Sequence, residues 1–122
     1  MENKKTIKLL DKIIADSNRD ETHYSTLTNS LKELREMVVQ ENLPVLAKVI
    51  RLAYQHIESF EEFFIPVPED EPLDESQEKE NIKGKESLSY LMNLIKYHDN
   101  KFNQEEIKQY IHYLEVFAEE DD

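Results

Sequence analysis

The stretch that decides the fold is Leu43–Pro68, LPVLAKVIRLAYQHIESFEEFFIPVP. Pro44 suits the first turn of a helix, where its missing N–H is not needed, and Asn42 just before it is suited to cap. Leu46, Ile50, Ala53, Ile57, Phe60 and Phe64 then recur at helical spacing. Val49, Leu52, His56 and Phe63 widen that apolar face to nearly half the circumference. The pattern predicts a helix from Pro44 to about Ile65, about 30 Å or more at 1.5 Å per residue. So broad a face marks the central helix of an all-α bundle. Pro66 and Pro68 end it.

On the N-terminal side, two more helices are expected. Ile7, Leu10, Ile13 and Ile14 share one side of Lys4–Ser17, with Asn18 as a left-handed stop. Tyr24, Leu27, Leu31, Leu34 and Val38 make a narrow stripe along Thr22–Gln40. On the C-terminal side the composition changes. Pro66–Glu86, PVPEDEPLDESQEKENIKGKE, holds three of the four prolines, the single glycine, and eight acids against three lysines, a net of −5. It has too little to bury to order itself and reads as a mobile acidic loop, whose later part can extend the next helix backwards. Leu88, Leu91, Met92 and Ile95 define a fourth helix over Glu86–His98. After the turn Asp99-Asn100-Lys101, Asn103 is the expected N-cap of a fifth helix, Gln104–Ala118, with Glu106 completing a capping box and Phe102 stapling to Ile107. Ile107, Tyr110, Ile111, Leu114 and Phe117 turn inward. The expected organisation is one helical domain: a three-helix part (1–65), an acidic loop (66–86), a helical hairpin (87–118) and an acidic tail (119–122).

The 122 residues carry 27 acids and 15 bases, a formal charge of −12. That repels nucleic acid phosphates and anionic lipid, and points to a basic partner if charge matters to the role. There is no cysteine, hence no disulfide, thiolate nucleophile or cysteine-ligated metal. One glycine, Gly84, cannot build a phosphate-cradling loop. No cofactor is expected. No run approaches the roughly 20 apolar residues of a membrane span, and the charged start Met1-Glu2-Asn3-Lys4-Lys5 does not read as a secretion signal, so the expected location is the cytoplasm. Position by position, Glu119–Asp122 adds −4 to the −5 of the loop, and the remaining body holds 12 bases and 15 acids. The acidity therefore belongs mostly to two appendages.

The four histidines lack metal spacing. Three residues before His23, His56, His98 and His112 stand Asp20, Ala53, Ile95 and Gln109, so no Glu-x-x-His pair exists. The hexapeptide Arg51-Leu52-Ala53-Tyr54-Gln55-His56 has the spacing Arg-x4-His and resembles the motif of HEPN domains, small all-helical RNases and toxins. That resemblance implies an imidazole acting as acid or base and a guanidinium holding phosphate, in a cleft often completed by a second copy. It is restricted to these six residues, and Leu52 stands where the family usually has a polar side chain. The alternative places His56 at the margin of the core and Arg51 in solvent beside Glu58.

Two stripes suggest an interaction face. Tyr90, Leu94 and Tyr97 lie beside the inward residues of the fourth helix, and Tyr113 and Val116 do the same on the fifth. Tyrosine is enriched where apolar surface meets a partner. Glu69, Asp70, Glu71, Asp74 and Glu75 are candidate electrostatic contacts. Phe63-Phe64-Ile65-Pro66-Val67-Pro68 reads either as a docking element or as a segment folded back on its own bundle. The functional expectation is a non-catalytic interaction module, in one version an acidic inhibitor or immunity-type binder of a basic protein. The alternatives are a self-associating scaffold subunit, including a homodimer, and a HEPN-like RNase using Arg51 and His56.

Overall fold

The computed structural model describes residues 3–68 and 84–120. Its five helices are α1 (Lys4–Ser17), α2 (Tyr24–Gln40), α3 (Pro44–Phe60), α4 (Gly84–Lys96) and α5 (Lys101–Glu120). No strand is present among the described residues. The expected all-α bundle of five helices is what forms. Glu69, Asp70, Glu71, Asp74 and Glu75 lie outside the described residues.

The helices form a ring. Each packs mainly on two neighbours, in the spatial order α1, α2, α3, α5, α4 and back to α1. The expectation of a central third helix is therefore corrected: the broad face of α3 is shared between α2 and α5. The α4–α5 hairpin joins this ring, because α4 packs on α1 as well as on α5. The centre of the ring is one core, with Leu10 and Ile13 of α1, Leu31 and Leu34 of α2, Ile50 and Ala53 of α3, Leu91 and Ile95 of α4, and Ile107 and Tyr110 of α5 all fully or almost fully buried. Burying each large aliphatic side chain stabilises the fold by about 1.5–3 kcal/mol.

Polar contacts set the register between neighbours. The Tyr110 hydroxyl donates to the Ser87 carbonyl at 3.0 Å and lies 2.9 Å from the Ser87 hydroxyl, joining α5 to α4 inside the core. Burial raises the Tyr110 pKa, so the hydroxyl stays neutral. Lys96 pairs with Asp11 at 2.7 Å across α4 and α1, Lys32 with Glu58 at 2.7 Å across α2 and α3, and Lys48 with Glu115 at 3.3 Å across α3 and α5. These exposed pairs contribute more to register than to stability.

Several expected boundaries move, each for a local reason. α3 stops at Phe60, and Glu61 takes a left-handed conformation with φ 66°. Beyond it the chain is extended: Phe63 and Ile65 are buried while Phe64 between them is exposed, a period of two rather than the helical period that was expected. Asn42 does not cap α3. It is itself left-handed, with φ 61°, and makes the tight turn out of α2. Asn18, expected to be left-handed, has φ −88°. α4 begins at Gly84, two residues before the expected start. α5 begins three residues before its expected start: the Asn100 side chain accepts from the N–H groups of Phe102 and Asn103, at 2.8 and 3.3 Å, and is the cap. The capping box and staple at Asn103 do not form. The Glu106 carboxylate instead accepts from the Tyr90 hydroxyl, and Phe102 is 82% exposed.

Candidate functional site

At one end of the bundle the C-termini of α1, α3 and α5 meet the N-termini of α2 and α4 around a groove of about 970 Å³. Three segments of the chain meet at this end: the connection after α1 and the two that flank residues 69–83. Its lining includes Phe63, Phe64 and Ile65 from the extended stretch after α3, with Tyr113 and Phe117 from α5. Asp20, Glu62 and Glu86 are its exposed carboxylates, and Lys85 is the one cation among its described lining residues.

An aromatic cluster underlies this groove, centred on His56. Ring centroids of Phe60, Phe117, Phe63 and Phe64 lie 4.8, 5.1, 5.6 and 6.2 Å from the imidazole. His56 Nε2 accepts a hydrogen bond from the Phe64 N–H at 3.0 Å, which pins the extended stretch where α3 has ended. The proton of the neutral ring is then on Nδ1, which is buried and has no hydrogen-bond partner. The side chain is only 5% exposed, and burial pushes its pKa down from 6.5 to about 4. His56 at neutral pH is thus an uncharged structural acceptor. Phe64, whose backbone it holds, turns its own ring outward and is 50% exposed.

Lys85 fastens the opposite wall. Its ammonium donates to the carbonyl oxygens of Arg19, Asp20 and Thr22 in the α1–α2 connection, with 3.1 Å to Asp20, and sits 5.6 Å from the Tyr24 ring centroid. Three carboxylates against this one ammonium leave the groove acidic on balance. Gly84 is required here for space. A Cβ would run into the Phe63 carbonyl oxygen and come within 2.7 Å of the Tyr24 hydroxyl. The lone glycine of the chain allows the start of α4 to pass against the end of the α3 stretch.

The residues expected to form a tyrosine-flanked face are divided by the structure. Leu94 is 4% exposed and belongs to the core, which corrects its assignment as an interface residue. Tyr90 is half-buried, with its hydroxyl on both oxygens of Glu106 at 2.8 and 2.9 Å. Val116 is half-buried. Tyr97 is 58% exposed near the α4–α5 turn, at the other end of the bundle, and Tyr113 is 36% exposed in the groove wall. The stripe is therefore not one surface: Tyr113 joins the aromatic groove, and Tyr97 lies away from it near Phe102.

Arg51 and His56 do not share a cleft within one chain. Arg51 donates to Gln55 Oε1 at 3.3 Å and lines a groove between α2 and α3, whereas His56 lines a different recess with Phe60 and Leu114. Glu58, the expected neighbour of Arg51, pairs with Lys32 instead. With Nε2 taken by a backbone amide and Nδ1 sealed among rings, His56 offers neither nitrogen to a ligand. Among the described residues no cluster of His, Asp or Glu has the makings of a metal site, and no helix is long and apolar enough to cross a membrane.

Asp20, Glu62, Phe64 and Lys85 were not singled out as site residues by sequence reasoning. The Phe63–Pro68 segment was the available signal: it folds back on its own bundle through Phe63 and Ile65 and leaves Phe64 exposed. Nothing in local sequence ties Lys85 to carbonyls more than 60 residues away. No family model, no curated protein and no solved structure matches the chain.

Proposed function

We propose that this protein is a non-catalytic binding module for a basic protein partner, which docks in the groove at the aromatic end of the bundle. The observation that carries the reading is the exposed Phe64 ring, held out by the His56–Phe64 hydrogen bond, in a groove whose rim carries Asp20, Glu62 and Glu86. Aromatic side chains offer large apolar area at low conformational cost. Carboxylates around them attract and orient a partner rich in Lys and Arg, and a ring face accepts its cations. The acidic stretches at 66–86 and 119–122 strengthen long-range attraction, in a way that salt screens.

The test is site-specific cross-linking in the native host. A photoreactive phenylalanine at position 64 is expected to capture a basic protein that the same residue at Lys12, on the exposed side of α1, does not capture. Asp20→Asn with Glu62→Gln should lower the yield. Equal capture from both positions, or no product from position 64, would sink the reading. A second reading, self-association, is favoured by Phe102 and Tyr97, both widely exposed near the α4–α5 turn. A sedimentation mass that rises with concentration and returns to the monomer in Phe102→Ser would support it.

A further inference from the structure

A groove elsewhere on the molecule has the opposite charge. It runs along the outer seam of α2 and α3, with a volume of about 610 Å³, and is lined by Arg35, Lys48 and Arg51 above an apolar floor that includes Val39, Leu43 and Ala47. No carboxylate is among its described lining residues. This is an unusual place in a chain with 27 acids and three arginines. Two of those arginines meet here, and among the described residues neither makes an ion pair. Arg51 has only the 3.3 Å contact to Gln55, and Arg35 Nε is buried without any acceptor. Lys48 shares Glu115 at 3.3 Å. A guanidinium presents a planar fork of donors matched to carboxylate oxygens, and two forks on one apolar floor leave that capacity unused.

The spacing explains how the groove is built. Arg35 and Val39 lie one turn apart on α2, Asn42 follows in the turn beyond it, and Ala47, Lys48 and Arg51 lie on one stripe of α3. The tight turn at Asn42 sets the two helices side by side, so the stripes face each other across the seam. The groove's described lining carries three cations and no carboxylate, so its local field is positive. Of the chain's net −12, −9 lies in 66–86 and 119–122, and at near-physiological salt the screening length is only about 8 Å.

From this charge complementarity we infer that the α2–α3 groove binds an acidic peptide segment of a partner protein, its Asp or Glu carboxylates taken by Arg35 and Arg51 and its apolar side chains laid on Val39, Leu43 and Ala47. This goes beyond the proposed function, because it assigns a separate site with the opposite charge preference. Together the two grooves give one small bundle the means to bridge a basic and an acidic partner.

The test uses the full chain and a blocked hexaglutamate peptide as probe, followed by amide chemical shifts in near-physiological salt. Saturable shifts are expected at Val39, Asn42, Ala47 and Arg51. Affinity should fall by about tenfold or more in Arg35→Gln with Arg51→Gln, since each lost charged hydrogen bond is worth about that factor. Arg51→Gln alone serves as a second variant should the double variant unfold, and should weaken binding by about tenfold on the same argument. Arg19→Gln, outside the groove, should leave it unchanged. Unaltered affinity in both groove variants would overturn the proposal. Displacement of the peptide by inorganic phosphate at equal ionic strength would also overturn it, by showing a general anion site. Tighter binding once Glu69, Asp70, Glu71, Asp74 and Glu75 are changed to Gln would assign the groove to this chain's own acidic stretch. A mass that rises with concentration only while Arg35 and Arg51 are intact would assign it to a second copy. Either result would overturn the partner assignment. Cross-linking at position 64 reads the other groove, so the two proposals fail separately.

Discussion

The two ends of the bundle are closed by different means. At the end where α3 and α5 begin, closure is local. Asn42 turns left-handed between α2 and α3, Pro44 starts α3, and Asn100 caps α5 two and three residues away. At the end where α3 and α5 finish, closure is long-range. Lys85 reaches carbonyls of the α1–α2 connection, Gly84 lets α4 pass the Phe63 carbonyl, and His56 catches the Phe64 amide. A local turn costs little because neighbouring residues supply both partners. A closure made from five separate elements can leave an aromatic ring exposed and a groove open. The difference teaches where an aromatic-lined groove can open in this molecule: at the end whose shape depends on the whole ring.

Three measurements can break or sharpen that contrast. The largest effect is expected from pH. Below about 6.5 the unfolded chain takes up a proton at His56 that the folded chain refuses until about 4, so stability falls as pH drops through that window. The loss reaches up to about 3 kcal/mol at the lower limit. Protonation also turns Nε2 from an acceptor into a donor facing the Phe64 N–H, so the extended stretch should loosen first. Urea unfolding of the wild type and His56→Gln across the window isolates this contribution from the carboxylates, which titrate in both. Parallel curves would show that the aromatic end does not depend on a buried neutral imidazole.

The next effect comes from Gly84→Ala. The added Cβ collides with backbone and with the Tyr24 hydroxyl, so α4 or the Phe63 stretch must shift. Overpacking of this kind costs about 2 kcal/mol. Amide shifts should move at Phe64 and Thr22 and stay put near Asn42. A variant as stable as the wild type would mean that the aromatic end adapts freely, and the contrast would weaken. The smallest effect is expected at the local end. Asn100→Ala removes a side-chain cap and should cost about 1 kcal/mol, with shifts confined to the first turn of α5. Shifts spreading from Asn100 to the aromatic groove would show that the two ends are coupled rather than independent.

How much of this was legible follows the same division. The span of α1, the end of α2 and the start of α3 could be read from apolar spacing and from Pro44, because helix formation depends on residues three and four apart. The end of α3 could not. Phe60, Phe63 and Phe64 continue a helical stripe, yet Glu61 turns left-handed and the next residues alternate in and out. The His56 acceptor and the core sites for Phe63 and Ile65 reward the extended form, and all of these are set by tertiary packing. Leu94 shows the same limit from the other side. On a helical wheel it sits on a second stripe beside the core stripe, and only the ring of five helices, which wraps α4 between α1 and α5, buries it.

The sequence by itself determined an all-helical chain, the absence of cysteine chemistry, and the concentration of negative charge in two short stretches. Periodicity and composition are enough for that, since each depends only on near neighbours or on counting. The tertiary structure decided which helices touch, that His56 is a neutral latch, and that the two halves of the Arg51–His56 pair lie in different recesses. It also decided that Arg35 and Arg51 share a groove without a carboxylate among its described lining residues. Those outcomes rest on burial and on contacts between residues far apart in the chain, and burial is a property of the assembled ring rather than of any segment within it.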